Sequence, residues 1–261
     1  MVALITGGSS GMGLEFARQL GLRGYDLLLV SNRAEELAAA AAELQDVLSD
    51  AQAERSVAVR THWSDLALSD AADKLFSWCM GEGIIPDVLV NNAGMFFFKE
   101  LEDADLDKVQ AMIHLHVTTV TRMCLLFGEE MKKRGSGYIL NVSSMAARLP
   151  VPGITVYSAT KAYLKSFGKS LSYEFQPYGV GVTTVCPAAV ATPLYRLDKK
   201  WMNIGVRLGI IRTPQWLVRH ALKAMFRRRR IVSPSFMNVC LPVLIGLLPD
   251  GLVLRLWRKL K

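Results

Sequence analysis

The chain has 261 residues, of which 51% are hydrophobic and 21% charged, with a formal net charge of +8. That length and composition suit one large α/β domain with a sizeable core and exclude a disordered chain. The four cysteines (Cys79, Cys124, Cys186, Cys240) are far apart, which excludes a disulfide framework and predicts reduced, mostly buried thiols in a cytoplasmic protein.

Residues 1–6 enter an apolar run directly, so no signal peptide is expected. Val2–Thr6 suits a fully buried parallel strand. The glycine-rich turn Gly7–Gly13 follows, then a helix to about Arg23. Asp26–Val30 is a second strand, and Ala34–Leu48 is rich in Ala, Glu and Leu and strongly helical. Val57–His62 is a third strand, Leu68–Met80 a helix and Asp87–Val90 a fourth strand. A long helical segment covers Asp105–Arg134. Gly137–Val142 is a strand, Val156–Phe175 a helix and Val180–Val185 a strand. Pro214–Arg227 is helical, and Arg230–Ser233 is a last short strand. Strict alternation of strands and helices predicts a doubly wound parallel sheet of about seven strands, with helices on both faces.

Two places carry chemistry. The strand–turn–helix at residues 2–23 fits a dinucleotide turn, where glycines let the backbone approach a pyrophosphate and the helix N-terminus supplies amides. The second strand ends in Ser31-Asn32-Arg33. No carboxylate is available there for ribose hydroxyls, and Arg33 can pair with a 2′-phosphate, so NADP(H) is preferred over NAD(H). His62-Trp-Ser-Asp65-Leu66 is placed for an adenine contact, although Asp65 alone also reads as a cap. The second place is Tyr157-x-x-x-Lys161. These residues lie one helical turn apart, so an ammonium stands near a phenol and favours its ionised form. Thirteen residues upstream Ser144 ends a strand, where its hydroxyl can hold a substrate oxygen.

Thr6-Gly-Gly-Ser-Ser-Gly-Met-Gly13, Asn91-Asn-Ala-Gly94, Ser144, Tyr157-x-x-x-Lys161 and Pro187-x-x-x-x-Thr192 stand in register, and together the chain resembles the short-chain dehydrogenase/reductase family over roughly residues 1–235. The resemblance implies a single-domain Rossmann fold. It also implies a cofactor site of Gly7, Ser9, Ser10, Gly11, Met12, Gly13, Asn32, Arg33, Asp65, Leu66, Asn92, Ala93, Gly94, Tyr157, Lys161, Pro187, Val190 and Thr192. Asn91 would support the nucleotide side of the sheet. Ser144 would hold the substrate oxygen, Tyr157 give or take the proton, and Lys161 bond the nicotinamide ribose. One position departs from the family pattern. Where an Asn often holds a relay water behind the Lys, this chain has His116. Imidazole can continue a relay; otherwise His116 is a core or interface histidine and water rebuilds the path. His116→Asn is expected to keep or raise activity.

A substrate loop is expected over about 188–213, apolar and basic, with Asp198 its only acid. Met95-Phe96-Phe97-Phe98 adds an aromatic cluster, as a pocket wall or a subunit contact. A bulky ketone such as a 3-oxoacyl compound, 3-ketosphinganine or a steroid therefore fits better than a sugar. From Lys199 to Lys261 there are fourteen Lys/Arg against one acid, while the first 198 residues carry seventeen against twenty-two. Residues 236–261 form an apolar and basic extension interrupted by prolines, which suits an interface-lying segment better than a spanning helix. Peripheral membrane contact is expected through 227–261, with no nucleic-acid partner, no metal and a homo-oligomer (dimer or tetramer). The rival readings are an NAD(P)-dependent alcohol or hydroxysteroid dehydrogenase, and a non-catalytic, membrane-docked NADP sensor.

Overall fold

The computed structural model describes residues 1–50, 56–149, 151–188, 190, 211–234 and a few isolated positions beyond. Its seven strands are β1 (Val2–Thr6), β2 (Asp26–Ser31), β3 (Val59–Trp63), β4 (Val88–Asn91), β5 (Gly137–Val142), β6 (Val180–Val185) and β7 (Ile231–Val232). They form one sheet in the order β3-β2-β1-β4-β5-β6-β7, with every pairing parallel. The helices are α1 (Gly11–Gly21), α2 (Ala34–Asp50), α3 (Ala71–Gly81), α4 (Leu106–Ile113), α5 (Thr119–Arg134), α6 (Thr155–Phe175) and α7 (Pro214–Phe226).

The continuous apolar runs are explained by burial on both faces. Ala3 and Ile5 of β1 join Phe16 and Leu20 of α1, Leu44 of α2 and Leu222 of α7 in one core. Leu4 points the other way, into a core with Leu75 of α3, Phe127 of α5 and Phe175 of α6. The predicted doubly wound α/β fold is therefore the observed one. Four returns from a helix or turn to the next strand, at Gly24, Gly83, Gly135 and Gly179, have positive φ and lie at the end of the sheet where the strands begin.

Most boundaries fall within a residue or two of expectation; three departures have a physical reason. Helix α3 begins at Ala71 rather than Leu68, because Asp65 first closes a separate turn: its Oδ1 accepts from Ala67 N at 3.1 Å and its carbonyl from Leu68 N at 3.2 Å. β3 begins at Val59 and runs on to Trp63, in register with Ser31. The helical run 106–134 is interrupted by a π-turn at His114–Thr118. By length and mean hydropathy (1.2) that run could cross a bilayer; 44% of its apolar window is buried inside the molecule, where Met123, Cys124, Phe127 and Met131 join the core under the sheet. The substrate loop beyond Val190 and the extension 236–261 lie almost wholly outside the described residues.

Candidate active site

The ends of β1, β2 and β4 build a cradle. Gly7 has φ +64, and a Cβ on Gly13 would stand 1.9 Å from Gly7 O, so the first turn of α1 rests directly on the glycine turn and excludes any side chain. Ser10 is the N-cap residue of α1 but makes no side-chain cap bond, and the first turn holds no acid. The positive end of this helix is thus uncapped by any side chain of Ser10 and unopposed by acid in its first turn, as an anion site requires. Thr6, which was not singled out from the sequence, braces the cradle: its Oγ1 accepts from Asn92 N and Ala93 N, both at 3.0 Å, and donates to Val90 O. Asn92 Nδ2 in turn donates to Thr6 O and Gly7 O. Ser9 and Ser31 share a buried hydroxyl pair at 3.0 Å. Such a cradle, which a single Cβ would fill, fits the pyrophosphate of a dinucleotide.

On the β2–β3 side, Asn32, Arg33, Trp63 and Asp65 come together. Trp63 is 58% exposed, and its Nε1 donates to Asn32 O at 3.1 Å. Asn32 Nδ2 donates weakly to Asp65 Oδ1 at 3.4 Å. No carboxylate ends β2 itself, but Arg33 Nη1 donates to both oxygens of Glu36 at 2.9 and 3.1 Å. Leu66 is buried, with its carbonyl accepting from Thr119. Met12 lies partly buried against the α1 core.

The other half of the site sits where β5 and β6 end. Ser144 caps a 3-10 turn, Met145–Arg148, and its Oγ accepts from Ala146 N at 3.1 Å, which leaves the hydroxyl hydrogen to point elsewhere. Tyr157 and Lys161 lie on the buried face of α6, both 5% exposed. Lys161 Nζ lies 5.6 Å from the Tyr157 ring centroid and donates to Val142 O at 3.0 Å. Burial pulls its ammonium down to about 8. Ser143 donates to Lys161 O, tying α6 to the end of β5. Pro187 O accepts from Met145 N, Val190 is buried and bridges to Arg212, and Thr192 lies outside the described residues.

Tyr157 is bedded in apolar side chains. Met112 and Ala146 are buried with it, and Met95, Phe96, Phe97, Ile154 and Val156 pack around it. Phe96 meets its ring edge-on at 5.0 Å. The aromatic cluster thus divides: Phe96 and Phe97 face the tyrosine, whereas Phe98 is 60% exposed and covers Gly153.

His116 is completely buried behind Lys161. Its Nε2 accepts from Met95 N at 3.1 Å, and its Nδ1 lies 3.0 Å from Thr160 Oγ1. Burial first, and the charge of Lys161 second, hold the imidazole well below its ordinary pKa. Beneath the site Asn91 donates to Asn141 at 2.8 Å within the sheet, so it is a prop rather than a contact. Thr160 is a residue the sequence did not point to, and Thr6 was read only as the head of the glycine motif; Trp63 lies in the stretch expected to contact the adenine.

A family model described as short chain dehydrogenase matches residues 1–203. The very-long-chain 3-oxoacyl-CoA reductase of Macaca fascicularis is 31% identical over 258 residues, 97% of this chain and 77% of that protein. The Rattus norvegicus protein of that name is 35% identical over 206 residues, 77% of this chain, and the aligned region spans 63% of that relative. Among solved structures, a short-chain dehydrogenase from Sphingobium yanoikuyae in complex with NADPH superposes with a TM-score of 0.78 at 27% identity, covering 95% of this chain and 96% of the other.

Proposed function

The chain belongs to the short-chain dehydrogenases, a family of NAD(P)-dependent oxidoreductases, and from that membership we propose that it uses NADPH to reduce the ketone of a bulky, lipid-like substrate such as a 3-oxoacyl thioester. The observation that carries the reading is the bed of Tyr157: its ring, one helical turn from Lys161, packs against Met95, Phe96 and Phe97. Apolar walls of that kind favour a long acyl chain over a sugar. The names of the mammalian relatives point the same way.

When bound in the cradle, the nicotinamide supplies a hydride to the carbonyl carbon. The chain supplies the rest. Ser144 Oγ–H, its oxygen already steadied by Ala146 N, donates to the carbonyl oxygen. Tyr157 hands its phenolic proton to that oxygen as it becomes an alcohol. Lys161 holds positive charge beside the phenolate left behind, held in place by Val142 O. The nucleotide would be held by Gly7–Gly13, Asn92–Gly94 and, at the 2′-phosphate, by Arg33. Trp63 offers its exposed face to the adenine. Arg33 must leave Glu36, which an exposed pair allows at small cost because such pairs contribute about 0–1 kcal/mol. Residues 1–235 are the catalytic domain in this reading, and 227–261 contact an anionic membrane where the substrate resides.

The test is NADPH oxidation with 3-oxoacyl-CoA substrates of increasing chain length against short polar ketones. Rising kcat/KM with chain length is expected, together with a loss of at least about a hundredfold in Tyr157→Phe. Higher kcat/KM for the short polar ketones would overturn the substrate assignment.

A further inference from the structure

The ring of His116 bridges two parts of the site, the loop after β4 and helix α6, which are otherwise tied further out by the Lys99 N–Gly153 O backbone bond at 2.9 Å. On one side is Met95, the first residue after the Asn-Ala-Gly turn, whose amide donates to Nε2 at 3.1 Å. On the other is Thr160, between Tyr157 and Lys161 on α6, whose Oγ1 lies 3.0 Å from Nδ1. Counting hydrogens settles the tautomer. Thr160 has one hydroxyl hydrogen, and it goes to Tyr157 O at 2.8 Å. Thr160 Oγ1 therefore accepts from His116, and Nδ1 carries the proton. Nε2 then has only a lone pair, which Met95 N–H fills.

We propose that His116 is a positioning residue and no part of a proton relay: its neutral Nδ1–H ring clamps the cofactor-side loop after β4 to the backbone of Tyr157. The proposal rests on the reading of Tyr157 as proton donor. The chain of donors runs one way, from Met95 N–H through the imidazole and the Thr160 hydroxyl to the Tyr157 carbonyl. Three further observations fit the clamp. The π-turn His114–Thr118 places this residue inward on a helix that is otherwise regular, and such turns cluster at functional positions. The loop lies close to the ring at residue 94, where a Cβ would press on Nε2 at 3.2 Å and reach ordinary contact with Lys161 Nζ at 3.8 Å. Phe96, next to Met95, meets the Tyr157 ring edge-on, so the same loop touches that residue through both backbone and ring. Lys161 is the charged group acting on the imidazole from α6, and the Tyr157 ring lies 5.9 Å from it. A second proton on Nε2 would have to displace the Met95 bond in a fully buried site beside an ammonium ion.

The test pairs a spectroscopic readout with kinetics. In long-range 1H–15N spectra of the whole protein, the His116 ring should show one protonated and one bare nitrogen, unchanged from about pH 5.5 to about pH 9. A His116 signal that titrates in that range overturns the lock, whether or not the protein turns over. In kinetics, His116→Ala should lower kcat about tenfold with KM for NADPH little changed and the pH–rate profile unaltered in shape. Thr160→Val, nearly isosteric, should reproduce the loss, and the double variant should be no worse than either alone. Against the relay expectation that His116→Asn keeps or raises activity, the clamp predicts a loss: Asn keeps a donor at the δ position for Thr160 but falls short of Met95, so its kcat should lie between those of the wild type and the alanine variant. A changed profile shape in His116→Ala assigns a relay instead, and wild-type kcat in Thr160→Val refutes the clamp. Absence of wild-type turnover, with the nitrogen spectrum as expected, would count against the Tyr157 assignment and leave the lock standing.

Discussion

Lys161 sits almost wholly out of water, with its ammonium on the Val142 carbonyl and its pKa pulled down to about 8 by burial. Its folded pKa is therefore below its unfolded value of 10.5. Below about 8 both states are protonated and the folded state bears the whole cost of the buried charge. Between about 8 and 10.5 the unfolded chain holds more protons, so stability rises with pH across that window. The size at neutral pH is roughly 3 kcal/mol before the Val142 bond is credited. Lys161→Met should abolish turnover yet raise the urea unfolding free energy at pH 7 by about 1–3 kcal/mol, and the gain should shrink as pH approaches 10.5. A lower unfolding free energy would mean that the Val142 bond outweighs the desolvation. The reductive rate of the wild type should also fall as pH rises through about 8, because Lys161 then loses the charge that supports the phenolate.

At the scale of elements, the β1–α1 turn and the end of β2 make separable predictions. Gly13→Ala places a methyl group against the backbone oxygen of Gly7, which no rotamer change can relieve. It should cost about 2 kcal/mol or more and weaken NADPH binding by at least about tenfold, measured by calorimetry. Gly21→Ala meets side-chain ends, of Leu48 and Leu27, far from the glycine turn and should bind NADPH normally. At the end of β2, Arg33→Ala should lower kcat/KM for NADPH about tenfold and leave that for NADH nearly unchanged. Glu36→Gln should lower KM for NADPH, because it releases the guanidinium that the 2′-phosphate needs. Equal effects of Arg33→Ala on both cofactors would remove Arg33 from that role.

The central strands β1, β2 and β4 were readable because they are buried on both faces and so appear as apolar runs of Val, Leu and Ile. The placement of Tyr157 and Lys161 on one buried helical face was readable because their spacing is local. The π-turn was not readable. What makes it useful is a pairing of His116 with partners 21 and 44 residues away, and periodicity carries no trace of that. Thr6 and Thr160 were missed for the same reason: a threonine in a strand or helix looks ordinary until its hydroxyl partners are known. The Arg33–Glu36 pair is the opposite case, an i,i+3 contact visible in the sequence whose competition with a phosphate only became evident once Arg33 Nη1 was seen to reach both Glu36 oxygens.

For the whole molecule, charge is segregated. The exposed run Arg227–Arg230 follows α7. Arg228 is held by Gly179 O and Arg230 by Gln176 Oε1. Sedimentation with anionic liposomes should therefore fall with added salt and be lost on deletion of 236–261; unchanged sedimentation of the deletion variant would reject the membrane contact. The four glycine returns at the opposite end of the sheet from the site have a further consequence. Around Gly24, Gly83 and Gly135 there is open space, whereas a Cβ on Gly179 would stand 2.1 Å from Gly135 O. The first two are seams at which the chain could be cut and rejoined, or a reporter domain inserted, with the chemistry left untouched at the far edge. The last two are braced against each other, and lengthening the loop at Gly179 should disturb the entries to β5 and β6 together.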